Sequence, residues 1–128
     1  MRNYRDLEVW KYSHKLTLEL YQASRKFPKE EMFGLTSQLR RVAISVGANL
    51  AEGCGRRTTA EFARFIRIAM GSASELDYHL LLCRDFEFLT GAFYDRTSKE
   101  LIRVRKMLSA LLASVELQLQ MKTLSANG

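Results

Sequence analysis

The sequence predicts an all-α protein built as an antiparallel up-down-up-down four-helix bundle. Four long stretches carry apolar residues at three- and four-residue spacing, which is the period of an amphipathic helix. Short segments with proline or glycine separate these stretches, and no segment shows sustained strand-like alternation. A chain of 128 residues holds one sizeable core rather than two, so we expect a single domain over residues 1–128. The predicted helices cover about residues 6–26, 35–52, 59–88 and 91–121.

The first predicted helix has its apolar residues on a broad stripe. We expect the centre of the stripe to consist of Leu7, Trp10, His14, Leu18 and Tyr21, with Val9, Leu16, Leu20, Ala23 and Phe27 beside it. The helix should end at Phe27-Pro28, because proline lacks a backbone N–H and disfavours the helical conformation of the residue before it.

The second predicted helix shows one apolar face and ends at glycine. Its face consists of Leu35, Leu39, Val42, Val46 and Asn49. We expect Gly53-Cys54-Gly55 to terminate it with a left-handed C-cap, which glycine adopts without a Cβ penalty.

The third predicted helix begins at a capping signal and is long. Thr58-Thr59-Ala60-Glu61 matches a capping box, in which the first hydroxyl accepts a hydrogen bond from a backbone N–H of the first turn. Apolar residues then recur at helical spacing, namely Phe62, Phe65 or Ile66, Ala69, Ala73, Leu76, Leu80 and Cys83.

The fourth predicted helix has the most regular stripe of the chain. Thr90-Gly91 breaks the preceding helix and can cap this one. Its apolar positions alternate steps of four and three, as in a heptad seam, at Phe93, Thr97, Leu101, Val104, Leu108, Leu111 and Val115. The small polar residues 123–128 are expected to fray.

The titratable residues argue against an enzyme. The only histidines are His14, expected to pack in the core beside Trp10, and His79, which has no nucleophile predicted nearby. Two cysteines without a CxxC spacing form neither a zinc site nor a disulfide framework. No phosphate-binding glycine loop is present either. We therefore expect no catalytic residue, no metal and no cofactor.

The composition indicates a protein of the cytoplasm rather than of a membrane. The first residues lack an apolar signal core, and no run approaches the ~18 apolar residues of a membrane span. Free cysteines fit a reducing compartment. The formal charge of +6 and the pI near 9.6 favour anionic partners, with nucleic acid first.

A cluster of arginines is the strongest functional signal. Between residues 40 and 67 there are six arginines against two acids, and the guanidinium group suits phosphate and base edges; they are Arg40, Arg41, Arg56, Arg57, Arg64 and Arg67. The alternative interpretation is a solvated, salt-bridged surface that aids solubility. Tyr4, Trp10 and Tyr12 could stack on bases, although packing is the commoner use of such residues.

Polar and small residues within the apolar stripes indicate a structural role. Gln38, Asn49 and Glu75 are expected near the core or at a helix interface, with Glu75 facing Arg40 or Arg41. In the run from Ala69 to Ser74, Gly71 and Ser72 would let another backbone approach closely. That backbone could belong to a helix of the same bundle or to another subunit.

Several motifs in order make the chain similar to a known family. The chain resembles the four-helix-bundle 23S rRNA intervening-sequence proteins, over about two thirds of its length. The matching segments are Asp6-Leu7-Glu8-Val9-Trp10, Phe27-Pro28-Lys29-Glu30-Glu31, Gly34-Leu35-Thr36-Ser37-Gln38-Leu39-Arg40-Arg41, Ala48-Asn49-Leu50-Ala51-Glu52-Gly53, and Ala69-Met70-Gly71-Ser72 followed by Glu75. One departure is Gly47, which stands where family members usually carry proline and which weakens the expectation of a kink there.

The resemblance implies an antiparallel four-helix bundle that assembles as a ring-like homopentamer. A related accessory protein of diversity-generating retroelements is a basic pentamer that binds nucleic acid and a reverse transcriptase. The resemblance carries over no catalytic residue. Two hypotheses follow: a homo-oligomer that binds structured RNA, or less favourably DNA, through its arginines, and an oligomeric scaffold that recruits a protein partner such as a polymerase.

Overall fold

The chain folds into four α-helices, as the sequence predicts. The computed structural model describes residues 2–127, and within them it contains no strand. The helices are α1 (Glu8–Ser24), α2 (Leu35–Cys54), α3 (Thr59–Asp85) and α4 (Gly91–Asn127), with 3₁₀ turns at Tyr4–Asp6 and Lys29–Glu31. The all-α fold class is confirmed.

Neighbouring helices run antiparallel, which the contacts between them show directly. The Thr17 hydroxyl of α1 donates to the Ala43 carbonyl of α2, whereas Ser24, further along α1, meets the earlier residue Arg40. The same inverse order holds between α2 and α3, where Ser45 meets Ser72 and Gly53 meets Phe62. Between α3 and α4, Arg67 meets Glu116 and Thr59 meets Lys122. Between α1 and α4, Tyr12 meets Arg103 and Glu19 meets Arg96.

The stripe predicted for α4 faces the core at every position. Its five innermost members are at most 2% exposed and its two others are partly buried; the five are Thr97, Leu101, Val104, Leu108 and Val115. The predicted fraying of residues 123–128 is wrong as far as the described residues go, because α4 continues to Asn127. Gly128 lies outside the described residues.

The stripe of α1 was predicted one step out of phase. The buried positions of α1 are Val9, Ser13, Leu16, Leu20 and Ser24. Two of these five residues are serines, so polar residues interrupt the apolar pattern of the buried face in the sequence. The expected central position His14 is exposed and stacks on the Trp10 ring at 4.8 Å, so the prediction of a core histidine is wrong.

Two glycines of α2 serve close packing rather than a left-handed cap. α2 ends at Gly53-Cys54-Gly55 as predicted, but the predicted left-handed conformation is wrong. Gly53 lies inside the helix, where a Cβ would come within 2.8 Å of Phe65 Cβ. The cap residue Gly55 has an ordinary right-handed φ of −81°. A Cβ at Gly47 would lie 3.3 Å from the Trp10 indole nitrogen, so this glycine makes room for Trp10 within an uninterrupted helix.

The caps of α3 and α4 form as predicted. The Thr58 hydroxyl accepts a hydrogen bond from the Glu61 N–H at 3.1 Å, and Thr90 accepts one from the Phe93 N–H at 3.2 Å. α3 ends at Asp85, three residues before the predicted end at 88. Glu87 takes a left-handed φ of 64° in the turn that follows.

No helix among residues 2–127 combines the length and the apolar run needed to cross a membrane. Cys54 and Cys83 are free thiols buried in the core. Burial, with a smaller contribution from the Glu31 carboxylate, raises the pKa of Cys83 to about 12. Both thiols are therefore core side chains held in the protonated form.

Candidate nucleic-acid interface

Arginines gather at the end of the bundle where α2 passes into α3. The guanidinium carbons of Arg56 and Arg64 lie 4.9 Å and 5.4 Å from the centroid of the same Phe65 ring. Arg57 is exposed in the short connection between the helices. Phe65 is buried, so it provides a fixed platform that holds two cations close together.

Arg2 joins this end of the bundle, and the sequence did not indicate it. Its guanidinium carbon lies 4.2 Å from the Phe62 centroid, and its backbone N–H donates to the Cys54 carbonyl. The antiparallel order of the helices brings the start of α1 to the end of α2. The available signal was the pair of arginines before α1, Arg2 and Arg5, combined with the predicted topology.

The cluster of Arg2, Arg56, Arg57 and Arg64 is only partly neutralised. Glu52 pairs with Arg56 at 2.7 Å, and it is the one carboxylate within ion-pair distance of these four among the described residues. Within that part of the chain, three guanidinium groups therefore remain without a carboxylate partner. We call these four residues the arginine cluster. It is an exposed set of forked donors of the kind that binds phosphate, and three of its members, all but Arg57, lie over phenylalanine rings.

The other three arginines predicted for this site lie elsewhere. Arg40 points toward α1, where its Nε donates to Ser24 at 2.8 Å and its guanidinium carbon lies 4.2 Å from the Tyr21 centroid. Arg41 donates to Gln38 on its own helix. Arg67 faces α4 and pairs with Glu116 at 3.6 Å. Arg40 and Arg41 thus lie about four turns of α2 before the arginine cluster, and Arg67 turns toward α4, so the six arginines do not gather at one place. Their role as nucleic-acid contacts stays a prediction.

The predicted polar network forms only around Asn49. Its amide donates to the Ser45 carbonyl and hydroxyl, and the Ser45 hydroxyl meets that of Ser72 at 2.8 Å. Gln38 and Glu75 are exposed instead. Within residues 2–127, Glu75 makes no ion pair with Arg40 or Arg41, so the expected pairing is wrong.

The two small residues predicted for close packing have different surroundings. Ser72 contacts α2 through Ser45, which fits a helix contact within the bundle. Gly71 is exposed, and a Cβ there would meet no atom within 4 Å. A close approach at Gly71 therefore requires another subunit, and this part stays a prediction.

Among the described residues, His79 and Cys54 lie in structural contacts rather than beside one another. Residues 2–127 contain no group of three or more His, Cys, Asp or Glu side chains that could hold a metal ion. His79 Nδ1 contacts the Glu75 carbonyl within its own helix at 2.8 Å. Desolvation by burial, only partly offset by the nearby Arg2 guanidinium, raises the pKa of Cys54, which disfavours the nucleophilic thiolate.

Comparison with known proteins identifies the family. A crystal structure of a protein of unknown function from the S23 ribosomal protein family of Bacteroides thetaiotaomicron is similar in fold, with a TM-score of 0.76 at 24% identity over 82% of this chain and 95% of that one. Among curated protein sequences, none matches this chain. The sequence model of the 23S rRNA-intervening sequence protein family matches residues 5–110, which include all of α1, α2 and α3. The chain belongs to the 23S rRNA-intervening sequence protein family.

Proposed function

We propose that this protein is a non-enzymatic, homo-oligomeric protein of the cytoplasm that binds structured RNA, and DNA less favourably, through the arginine cluster. The observation that supports the proposal most is the sharing of one buried ring, that of Phe65, by the guanidinium groups of Arg56 and Arg64. Because both guanidinium carbons lie within 5.4 Å of one ring centroid, they are no more than about 10 Å apart, and a phosphate beside them would be attracted by both charges. Rigid arginine forks suit this ligand better than flexible lysines would.

Assembly would strengthen binding by each weak site. Five subunits of formal charge +6 carry 5 × 6 = 30 positive charges, and several clusters acting together raise the effective affinity. We propose the pentamer because the resemblance to the family implies it. Light scattering during size exclusion tests the oligomer, since a mass near the 14.7 kDa of one chain would contradict it.

The binding test is fluorescence anisotropy of a labelled, structured rRNA fragment, titrated with the protein across a salt series. Phosphate binding releases counterions, so the logarithm of the binding constant should fall linearly with the logarithm of salt concentration. The double variant Arg57→Ala/Arg64→Ala should weaken binding and reduce the salt slope by about two, because two arginines no longer bind phosphate.

A matched control removes two arginines from the opposite end of the bundle. Arg25 caps the end of α1 and Arg84 lies in the last turn of α3, so Arg25→Ala/Arg84→Ala changes net charge equally. Binding that weakens to the same extent in both double variants would show that only net charge matters. Absence of binding at low salt by the folded wild type would refute the proposal.

The exposed face of α4 favours the alternative function, recruitment of a protein partner such as a polymerase. Leu117, Met121 and Leu124 are 57%, 61% and 72% exposed and recur at four- and three-residue spacing. Exposed apolar stripes of this kind occur at protein interaction sites. Affinity capture from lysate with and without nuclease separates the two functions, because partners bridged by RNA disappear after digestion whereas direct partners remain.

A further inference from the structure

A second cationic feature lies on the side of the bundle, between α1 and α4. The guanidinium carbon of Arg103 on α4 lies 4.3 Å from the centroid of the Tyr12 ring on α1. Tyr12 is half-buried and packs against the core, so the ring is held in place from behind. Arg103 itself is exposed, and its outer face is open to solvent.

Lysines flank this stacked pair along the same face. Lys99 and Lys106 lie four residues before and three residues after Arg103, so they occupy the adjacent turns of α4. Lys15 lies one turn after Tyr12 on α1. Among the described residues, none of these three lysines has a carboxylate within ion-pair distance, since the neighbouring Glu100 is taken by Arg96.

The dimensions fit a short stretch of nucleic-acid strand. Lys106 lies seven positions after Lys99, which corresponds to about 10.5 Å along a helix. At the roughly 3.4 Å rise of stacked nucleotides in a duplex strand, this length corresponds to about three nucleotides, and an extended unpaired strand spans it with fewer. A guanidinium plane on a tyrosine ring offers a flat surface on which a base can stack, and ammonium groups on either side can contact the flanking phosphates.

We infer that the Tyr12–Arg103 pair is a stacking platform for one base of a single-stranded segment, with Lys15, Lys99 and Lys106 holding its phosphates. This site is separate from the arginine cluster at the end of the bundle, and the inference rests on the proposed nucleic-acid binding. It gives the protein two modes of contact: phosphate binding by the cluster, and stacking of an unpaired base on the side. An RNA with a folded part and an unpaired segment would occupy both.

The surface around Tyr12 and Arg103 suits nucleic acid better than an acidic protein, because the Arg103 guanidinium group lies over an aromatic ring. An acidic peptide requires only positive charge on the protein, which a flexible, solvent-exposed lysine side chain would also supply. The guanidinium carbon of Arg103 lies 4.3 Å from the Tyr12 centroid, so a planar group covers an aromatic ring. A carboxylate can use only the N–H edge of that group, whereas a nucleotide can use the edge for phosphate and the face for base stacking. We therefore expect the affinity for nucleic acid to depend on the planar shape of the side chain at position 103 as well as on its charge.

The experiment compares Arg103→Lys with the wild type in binding two labelled probes, a short oligoadenylate and an abasic strand with the same number of phosphates. Arg103→Lys keeps the charge and removes the plane. We expect about tenfold weaker binding of oligoadenylate by this variant, the order of one base stack, with an unchanged salt slope. Binding of the abasic strand should be weak and the same in both proteins. The matched control is Arg105→Lys, because Arg105 is exposed on the same helix but faces α3 at Asp77.

The outcomes separate this inference from the proposed function. If the rRNA fragment still binds through the arginine cluster while Arg103→Lys leaves the affinity for oligoadenylate unchanged, the stacking-platform inference is wrong and the proposed function stands. Equal affinity for the abasic and oligoadenylate strands also overturns the platform. If the wild type binds neither nucleic acid but binds a polyglutamate peptide, both the platform and the proposed function fail.

Discussion

The bundle has one tightly packed side and one side held by longer, charged side chains. Between α2 and α3 the backbones approach closely, because Gly53 lies against Phe62 and Phe65 and because alanines fill the buried stripe of α3. Between α1 and α4, the apolar core is flanked at the surface by charged contacts of Glu19 with Arg96 and of Arg103 over Tyr12. A surface groove of about 450 Å³ opens there, lined in part by Phe88 and Phe93.

The difference indicates which side contributes most to the stability of the bundle and which side is available for binding. Small side chains allow dense packing that excludes water, and any change in volume there has a steric cost. Glu19 Oε1, in contrast, is buried at the α1–α4 side without a hydrogen-bond partner among the described residues. Arg96 pairs with Glu19 and Glu100 on that side, whereas Arg103 has no carboxylate within ion-pair distance among the described residues and is available to a ligand. The α2–α3 side supplies the rigid support for the arginine cluster.

The largest expected effect compares a phenylalanine on each side. Phe62→Ala empties a site 1% exposed in the dense side and should destabilise the protein by about 3–5 kcal/mol. Phe93→Ala removes a half-buried ring beside the groove and should cost less than half as much. Thermal unfolding at one fixed protein concentration measures both. Equal losses of stability would contradict the comparison.

The second test adds one methyl group to the dense side. In Gly53→Ala the new Cβ would lie 2.8 Å from Phe65 Cβ and 3.1 Å from Phe62 Cδ1, so the helices must separate. Overpacking of this kind costs about 1–3 kcal/mol, which exceeds the gain of alanine over glycine in a helix. Chemical denaturation should show a lower midpoint, and a midpoint equal to that of the wild type would mean that the interface can yield.

The third test adds the same methyl group where the protomer is open. Gly71→Ala meets nothing within 4 Å and should stabilise the chain by about 0.5–1 kcal/mol through helix propensity alone. The opposite signs at Gly53 and Gly71 would confirm that packing, and not the residue type, decides the effect. Light scattering on the same variant tests the predicted subunit contact, since a methyl group trapped between subunits would lower the assembled mass.

The smallest expected effect lies on the charged side. Glu19→Gln removes the charge that pairs with Arg96 and should lower stability by less than Gly71→Ala raises it. The loss of stability should shrink in concentrated salt, and by less than for an exposed pair, because the Glu19 side chain is only 19% exposed. The control is Glu8→Gln, whose exposed partner Lys11 lies on the same helix and whose effect should be lost in salt. A Glu19→Gln effect that is unchanged by salt would mean that Glu19 acts through packing.

The helices were predictable wherever the buried positions are apolar. The stripe of α4 and the buried face of α3 follow the 3.6-residue period with no polar interruption beyond Thr97, and both were assigned correctly. The phase of α1 was not predictable in the same way, because Ser13 and Ser24 occupy buried positions while Leu18 and Tyr21 are largely exposed. Serine satisfies its hydroxyl locally, as Ser24 does by donating to the Tyr21 carbonyl, so it can enter the core.

The arginine cluster was only half predictable. Arg56, Arg57 and Arg64 lie close together in sequence around a loop, and this proximity survives folding. Arg40 and Arg41 lie next to each other on α2, where a step of one residue turns a side chain by about 100° and sends it toward a different neighbour. Arg67 lies one turn beyond Arg64 on α3, where Glu116 of α4 pairs with it. Arg2 and the Tyr12–Arg103 pair join residues far apart in the chain, which no local pattern could have indicated.

By itself, the sequence determined the helical class, the bounds of α1, α2 and α3 to within three residues, the caps at Thr58 and Thr90 and the excess of positive charge. These properties depend on local periodicity, on side chains that bond to nearby backbone groups, and on composition. Only the tertiary structure decided which face of α1 is buried, why Gly53 must lack a side chain, and which cations stand together on Phe65. Those properties depend on contacts between distant segments, whose distances are set by the packing of all four helices at once.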